Sequence, residues 1–194
     1  MNKLILSGKQ SIPAIDDRYG TPRGLVRLML ANLKYRLGGM TLCDAQDSRP
    51  ARRLVFVCQG NICRSAFAHA VAARLGVPAA SFGLRTKGGE TSPPEAQEAA
   101  ARLGYDLSNH ISRSIAEYRP QSGDLLLAME YKQIVALHAL HPATAKTLLG
   151  LFHQPKLAHL HDPHTLGIGY YVACFTRIEQ MVKRVASGMT ETVR

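Results

Sequence analysis

The sequence predicts an α/β fold, an open twisted four-stranded parallel sheet with helices on both faces. Short apolar runs, partly β-branched, alternate along the chain with longer segments of helical character. Strands that alternate with helices favour a parallel sheet covered on both sides. The chain has 194 residues and no internal repeat, which suits one domain with an appendage.

The apolar runs place four strands in residues 51–190, the segment that we interpret as the main domain. Each run has the length of a buried strand, and the expected strands are 54–57, 79–84, 124–129 and 157–160. Other segments have helical apolar spacing, or a proline at the start and a glycine at the end. The expected helices are 65–75, 93–103, 130–140 and 168–186.

Residues 1–50 are predicted to be a basic N-terminal extension. Residues 1–53 contain ten Lys/Arg and four Asp, which gives +6 of the chain's net charge of +10. A basic excess of this kind indicates attraction to anionic surfaces or acidic partners. Basic and aromatic residues do not interleave in the sequence, so nucleic acid is not an expected partner.

One amphipathic helix is expected within the extension, at residues 22–37. Pro22 stands at its start and Gly38 just past its end. Apolar side chains recur there at four-residue spacing, at Leu25, Met29, Leu33 and Leu37. Two interpretations stay open for this helix: weak contact with a membrane surface or a partner, or packing on the domain.

Composition argues against several classes of protein. No apolar run is long enough to span a membrane, and no secretory signal is visible. Four cysteines in a chain of this size do not suggest a disulfide framework, so we expect reduced thiols and a cytoplasmic protein. The eight histidines are scattered, and loop histidines are more often polar surface residues than ligands, so no metal and no cofactor are expected.

The chemistry-bearing residues lie in one loop, residues 58–65, between the first strand and the helix that follows it. Such a loop directs backbone N–H groups and the positive end of the helix dipole toward one point, where a tetrahedral anion fits. The residues expected to bind phosphate are Gln59, Gly60, Asn61, Ile62, Cys63, Arg64 and Ser65. In this setting Gly60 relieves steric constraint and Asn61 tolerates a left-handed backbone.

Two side chains turn this anion cradle into a candidate reactive site. Cys58 sits at the base of the loop, where the helix dipole and Arg64 favour its thiolate. Arg64 offers planar, bidentate donors to phosphate oxygens, and Ser65 can donate a hydrogen bond to the sulfur. The Cys–Arg spacing alone is weak, and a Cys58 flanked by apolar residues could be an inert core thiol. The strand–loop–helix context is what favours catalysis or phosphate binding.

Residues 55–65, VFVCQGNICRS, closely resemble the signature of the low-molecular-weight protein-tyrosine phosphatases. The resemblance runs from about residue 53 to residue 186 and leaves the extension outside. Further matches occur in the family's order at Ser81-Phe82-Gly83, at His110 to Arg113, from Asp124 to Glu130, and at Asp162-Pro163.

The resemblance implies a phosphatase that acts through a cysteinyl-phosphate intermediate. Cys58 would attack phosphorus, Arg64 would hold the equatorial oxygens, and Asp162 would protonate the leaving oxygen. A network that supports the loop would comprise Asn61, Ser65, Ser81 and His110. Cys63 would either trap oxidised Cys58 as a reversible disulfide or act as a small packing residue. The implied partner is a phosphotyrosine-containing protein, in bacteria a tyrosine kinase of polysaccharide export.

Two positions depart from the family pattern around the substrate slot. His164 stands where the family has an aromatic residue after Asp-Pro, and Gln59 replaces a residue that is often apolar. Tyr170 and Tyr171 lie further along the chain as alternative ring donors. Phosphatase chemistry is therefore predicted more strongly than a preference for phosphotyrosine.

Two other functions are compatible with the same loop. Arsenate reduction would need further cysteines, and none occurs between residues 65 and 173. A non-catalytic phospho-binding module would not need Cys58, Arg64, Ser65 and Asp162 together. Because the candidate catalytic residues lie downstream of residue 50, we expect the extension to be dispensable for hydrolysis.

Overall fold

The structure is a computed structural model that describes residues 15–42 and 51–190. Its centre is one parallel sheet with the strand order β2-β1-β3-β4. The strands are β1 (Arg53–Cys58), β2 (Ala79–Gly83), β3 (Asp124–Ala128) and β4 (Ala145–Leu148). The predicted α/β class, strand number and parallel pairing are confirmed.

Six α-helices surround this sheet in the described residues: α1 (Ile15–Tyr19), α2 (Pro22–Arg36), α3 (Arg64–Arg74), α4 (Pro94–Arg102), α5 (Tyr131–Leu140) and α6 (Ile168–Thr190). Short 3-10 turns occupy Ile115–Glu117 and Leu149–Phe152. Every expected helix is present, with its ends shifted by a few residues. Such shifts are ordinary because helix termini fray.

Alternate residues of the central strands build two apolar layers, one on each face of the sheet. Leu54 and Phe56 of β1 point to the layer with α3, α4 and α6, where Phe67 stacks on Phe175 at 4.1 Å between ring centroids. Val55 and Val57 point to the opposite layer, which α5 covers. The near-continuous apolar run of β1 follows from this burial on both faces.

The prediction of a strand at 157–160 is wrong, because β4 is Ala145–Leu148 instead. The 157–160 segment makes only single backbone contacts: Leu157 N donates to Gly150 O at 2.9 Å and Leu160 N to Met129 O at 2.9 Å. It therefore runs past the sheet as an irregular loop. The true strand was missed because Lys146 breaks its apolar pattern, although that residue is buried.

The expected helix at 22–37 is confirmed as α2, and it packs on the domain. Thr21 begins it, since its Oγ1 accepts a hydrogen bond from Gly24 N at 2.9 Å. Ala158 N donates to Asn32 Oδ1 at 2.8 Å, which ties the helix to the 157–160 segment. Expectations for residues 1–14 and 43–50, Cys43 included, lie outside the described residues.

None of the helices in residues 15–42 or 51–190 combines the length and the apolar character that crossing a membrane requires.

Candidate active site

The loop 58–65 lies at the carboxyl end of β1, between the ends of β2 and β3. Ligands in open α/β sheets bind at this edge, where neighbouring crossovers diverge. Leu84 N donates to Cys58 O at 3.0 Å and Arg85 N donates to Gln59 O at 2.8 Å. These bonds hold the start of the loop against the chain that follows β2.

Asn61 fixes the conformation of the loop. Its φ of 59° is left-handed, as predicted, and both polar atoms of its side chain make hydrogen bonds that hold this conformation. The Nδ2 group donates to Ser65 Oγ at 2.9 Å, and Oδ1 accepts from Arg113 N at 2.8 Å. Fully buried, this asparagine connects the loop with the chain around residue 113.

Gly83, rather than Gly60, is the glycine that the loop requires. Gly60 does not have a positive φ, and a Cβ there would meet only the Ile62 side chain, at 3.6 Å. A Cβ on Gly83 would lie 2.8 Å from the Gly60 carbonyl carbon and 3.0 Å from Asn61 N. The end of β2 therefore approaches the loop too closely for any side chain.

Cys58 lies at the floor of a pocket of about 200 Å³. Its Sγ is 2.9 Å from Ser65 Oγ, and Asn61 N donates to it at 3.3 Å. Donors around a sulfur stabilise negative charge on it. The pocket is lined by Cys58, Gln59, Gly60, Ile62, Cys63, Asp162 and His164.

Arg64 is 1% exposed and is held by partners from two distant segments. Its Nη1 donates to Glu130 Oε1 at 2.8 Å and to Leu160 O at 2.7 Å, while Nη2 pairs with Asp162. Burial raises the pKa of Glu130, but the charge and hydrogen bond of Arg64, together with His159 and Lys132, leave that pKa below its usual value. The Arg64 Nε is buried without a hydrogen-bond partner in the described residues.

Asp162 is brought to the loop from the other end of the domain. Its side chain is 39% exposed, one carboxylate oxygen pairs with Arg64, and the other accepts from His164 N at 3.2 Å. The carboxylate therefore stands between the buried guanidinium and the open side of the pocket. Asp162 therefore lines the pocket as well as pairing with Arg64.

The expected supporting residues are placed unequally. His110 Nε2 is 2.6 Å from Asn61 O, and burial lowers the pKa of this histidine. Ser81 joins only through its carbonyl, which accepts from the Arg113 guanidinium at 3.4 Å. The Ser81 hydroxyl is buried and has no hydrogen-bond partner in the described residues.

The two predicted slot residues, Gln59 and His164, both line the pocket, whereas the two tyrosines do not. Tyr170 and Tyr171 are both buried, and the Tyr170 hydroxyl donates to His161 O at 3.2 Å. The Tyr171 hydroxyl lies 3.6 Å from Cys63 Sγ. Burial raises the pKa of Cys63 to about 12, so its thiol stays protonated near neutral pH.

Sequence reasoning assigned no role to Glu130, Arg113 or Gly83. Glu130 directly follows Met129, at the carboxyl end of β3, and β3 pairs with β1. A charged residue at the end of a buried strand was a usable signal for it. Gly83 and Arg113 lie in segments that match the family, but the sequence predicts no role for either, because that role depends on the close approach of β2 to the loop.

The fold and this site define an α/β protein whose strand-end loop combines a cysteine, an arginine and backbone donors suited to a tetrahedral anion. Residues 53–194 match the sequence profile of the family described as low molecular weight phosphotyrosine protein phosphatase. This chain therefore belongs to that family.

Three comparisons illustrate the relationship. A probable low molecular weight protein-tyrosine-phosphatase, EpsP of Ralstonia nicotianae, is 31% identical over 147 residues, which cover 74% of this chain and 97% of EpsP. The solved structure of the tyrosine phosphatase Wzb from Escherichia coli K30, in complex with sulphate, superposes with a TM-score of 0.62 at 25% identity and covers 71% of this chain and 97% of Wzb. A protein-arginine-phosphatase of Bacillus subtilis is 38% identical over 94 residues, 43% of this chain and 60% of the relative.

Proposed function

We propose that the chain hydrolyses phosphotyrosine and related aryl phosphate monoesters through a cysteinyl-phosphate intermediate. The observation that carries this proposal is a pocket of about 200 Å³ that Cys58 and Asp162 both line, with the buried Arg64 paired to that same Asp162. The Arg64 Nε and the amides of residues 59–65 are the donors for the phosphate oxygens.

In the first step, the Cys58 thiolate attacks phosphorus as the bond from phosphorus to the ester oxygen breaks. The proton of Asp162 passes to the departing oxygen, so the aryl group leaves as a neutral phenol. Arg64 balances the charge that spreads over the equatorial oxygens. Because Asp162 also contacts Arg64, one arginine positions both the anion and its proton donor.

In the second step, water hydrolyses the cysteinyl-phosphate. The Asp162 carboxylate takes a proton from the water while the water oxygen attacks phosphorus, and the sulfur–phosphorus bond breaks. The electron pair returns to Cys58 as thiolate, which the Ser65 hydroxyl at 2.9 Å stabilises. Inorganic phosphate is the product, and Asp162 is protonated again for the next cycle.

The pocket walls favour an aryl ester over phosphoarginine, the substrate that the name of the Bacillus relative indicates. Asp162 is the one carboxylate among the seven lining residues, and it already pairs with Arg64. A guanidinium leaving group would need a free acidic partner. The apolar Ile62 and the imidazole of His164 suit a neutral ring instead.

Arsenate reduction has little support from the described cysteines. Cys174 is buried in α6, and burial raises its pKa to about 12. A resolving cysteine needs an accessible thiolate to pass on a disulfide. The loop thus suits ester hydrolysis better than a thiol relay.

We infer that the physiological substrate is a phosphotyrosine-containing protein in the cytoplasm. The resemblance to the family supports a bacterial tyrosine kinase of polysaccharide export as that substrate. Reduced thiols at Cys58, Cys63 and Cys174 fit a reducing compartment.

Hydrolysis of p-nitrophenyl phosphate by the wild type and Cys58→Ser tests the chemistry. The variant should lose essentially all turnover, because a serine hydroxyl at this position is a far weaker nucleophile than a thiolate. The matched control is Cys174→Ser, which changes a buried cysteine away from the pocket and should keep wild-type turnover. Full activity in Cys58→Ser would refute the mechanism.

A panel of phosphopeptides tests the substrate class. Matched peptides that carry phosphotyrosine, phosphoserine or phosphoarginine should be cleaved with the highest kcat/KM for phosphotyrosine. A higher kcat/KM for phosphoarginine would contradict the proposed specificity while leaving the cysteine chemistry intact.

A further inference from the structure

The outer face of α2 is an exposed apolar stripe. Five of the nine large hydrophobic side chains that are exposed in the described residues lie on this helix and its C-cap: Val26, Met29, Leu30, Leu33 and Leu37. Their exposed fractions run from 54% to 76%. At about 100° per residue, all five fall within an arc of about 100°. A contiguous apolar surface of this kind marks an interaction site.

The opposite face of α2 is fixed to the domain. Gly24 is buried where a Cβ would lie 3.0 Å from the His161 ring. About two turns further along the helix, Asn32 accepts the hydrogen bond from Ala158 N. Tyr35 is partly buried and packs against the apolar layer that α5 covers. The stripe therefore points away from the rest of the described residues, and their folding leaves it uncovered.

Basic side chains border the stripe on both sides. Between Pro22 and Arg36 the helix carries Arg23, Arg27, Lys34 and Arg36 and no acidic residue. On the helical wheel, three of them lie along one edge of the stripe and Arg36 lies along the other. An apolar face between cationic edges is the arrangement that places a helix in the interface of a membrane with anionic lipids.

The same charges argue against a second copy of the chain as the occupant. Two such helices packed face to face would bring like charges together, with no acid on either helix to balance them. A lipid surface accommodates the apolar stripe, and its anionic headgroups attract the long basic side chains.

We propose that the outer face of α2 binds the surface of membranes that contain anionic lipids. From Val26 to Leu37 the stripe extends about 17 Å along the helix, so α2 would lie flat in the headgroup region. Its inner face contacts the 157–161 segment that leads into Asp162. Docking would therefore hold the pocket close to the membrane plane. The proposal does not depend on which ester the pocket cleaves.

Co-sedimentation of the full chain with lipid vesicles tests the proposal. The probes are vesicles of phosphatidylcholine alone and of phosphatidylcholine mixed with phosphatidylglycerol. One variant removes the stripe, Leu30→Gln with Leu33→Gln, and another removes charge, Arg23→Gln with Arg36→Gln. The matched control is Val135→Gln with Leu140→Gln on α5, where both side chains are similarly exposed, at 55% and 53%.

We expect the wild type to bind the anionic vesicles and to release them as salt rises. Each α2 variant should lower the partition coefficient about ten-fold or more, and the α5 control should not. All variants should hydrolyse p-nitrophenyl phosphate at the wild-type rate, which shows that the fold is intact.

Three results would overturn the proposal: no binding to anionic vesicles, binding that the stripe variant leaves unchanged, and equal binding to both vesicle types. A dimer in light scattering that Leu30→Gln with Leu33→Gln dissociates would assign the stripe to a second copy and would also overturn it.

Discussion

At the scale of single residues, Arg64 joins the three parts of the candidate site. It stands on the loop after β1, donates to Glu130 after β3, and pairs with Asp162 from the far end of the chain. A guanidinium presents several N–H donors in a rigid planar arrangement and can therefore bind several acceptors at once. The single ammonium group of a lysine lacks this geometry. The orientation of Arg64 thus depends on its two carboxylate partners as well as on the conformation of the loop.

Glu130→Gln should weaken both the fold and the site. The change leaves the buried Arg64 charge with only Asp162 to balance it, which should lower the free energy of unfolding by about 2–4 kcal/mol. KM for p-nitrophenyl phosphate should rise, because Arg64 keeps Asp162 and the Leu160 carbonyl as partners but loses the charge of Glu130 that helps to orient it. Urea unfolding and steady-state kinetics measure the two effects.

Glu98→Gln is the matched control, since it breaks the exposed pair with Arg102 on α4. That pair should contribute under about 1 kcal/mol. Equal effects of the two substitutions would show that the buried pair does not orient Arg64.

Asp162→Asn should make hydrolysis depend more steeply on the leaving group. Without the proton donor, esters of weakly acidic phenols should lose about 100-fold or more in kcat/KM, and nitrophenyl esters much less. The measurement is the slope of log kcat/KM against the pKa of the leaving phenol. His164→Gln should leave that slope unchanged, because Asp162 is bonded to the backbone N–H of residue 164. An equal loss on every ester would argue against a role as acid.

The sequence predicted the loop well because the loop is local. Cys58, Asn61, Arg64 and Ser65 lie within eight consecutive residues, so strand and helix patterns alone place them together. Asp162 was reached only through the family resemblance, since its distance from Arg64 depends on tertiary packing. Gly83 and Arg113 were missed for the same reason.

At the scale of elements, prediction succeeded where burial and periodicity agree. β1 and β3 are apolar on both faces and were found, whereas β4 carries Lys146 and was not. For α2 the sequence predicted a helix but not its orientation. The four-residue spacing predicts an apolar face that includes Leu25, whereas the exposed stripe includes Val26 and Leu30 instead.

A truncation that begins at Arg49 should keep hydrolytic turnover and lose stability. The candidate catalytic residues all follow residue 50, but α2 covers part of the α5-side apolar layer through Ala31 and Tyr35. We therefore expect wild-type kcat on p-nitrophenyl phosphate and a lower Tm. A folded truncated protein without turnover would show that the extension takes part in catalysis.

Asn32→Ala isolates one contact of that packing in the full chain. It removes the acceptor for Ala158 N and should lower the free energy of unfolding by about 1–2 kcal/mol. Turnover should stay unchanged, and thermal unfolding measures the loss. No change in Tm would mean that α2 contributes little to the stability of the domain.

At the scale of the whole molecule, several partly buried histidines link stability to pH. Burial lowers the pKa of His159 to about 4, and it also lowers the pKa values of His69, His110, His141 and His161. Each of these groups binds a proton more readily in the unfolded chain than in the folded one. Stability from them is therefore present above the usual histidine pKa and is lost as pH falls.

His159→Gln should flatten the fall in stability between about pH 6.5 and pH 4. The pKa of His159 is about 4 in the folded protein and about 6.5 in the unfolded chain. This difference alone should lower the free energy of unfolding by about 2 kcal/mol at pH 5 relative to neutral pH. The free energy of urea unfolding, measured from pH 7 to pH 4.5, should drop less in this variant than in the wild type. His138→Gln on α5 controls for the loss of a histidine as such and should follow the wild-type curve. Parallel curves for His159→Gln and the wild type would show that protonation of this side chain does not drive acid unfolding.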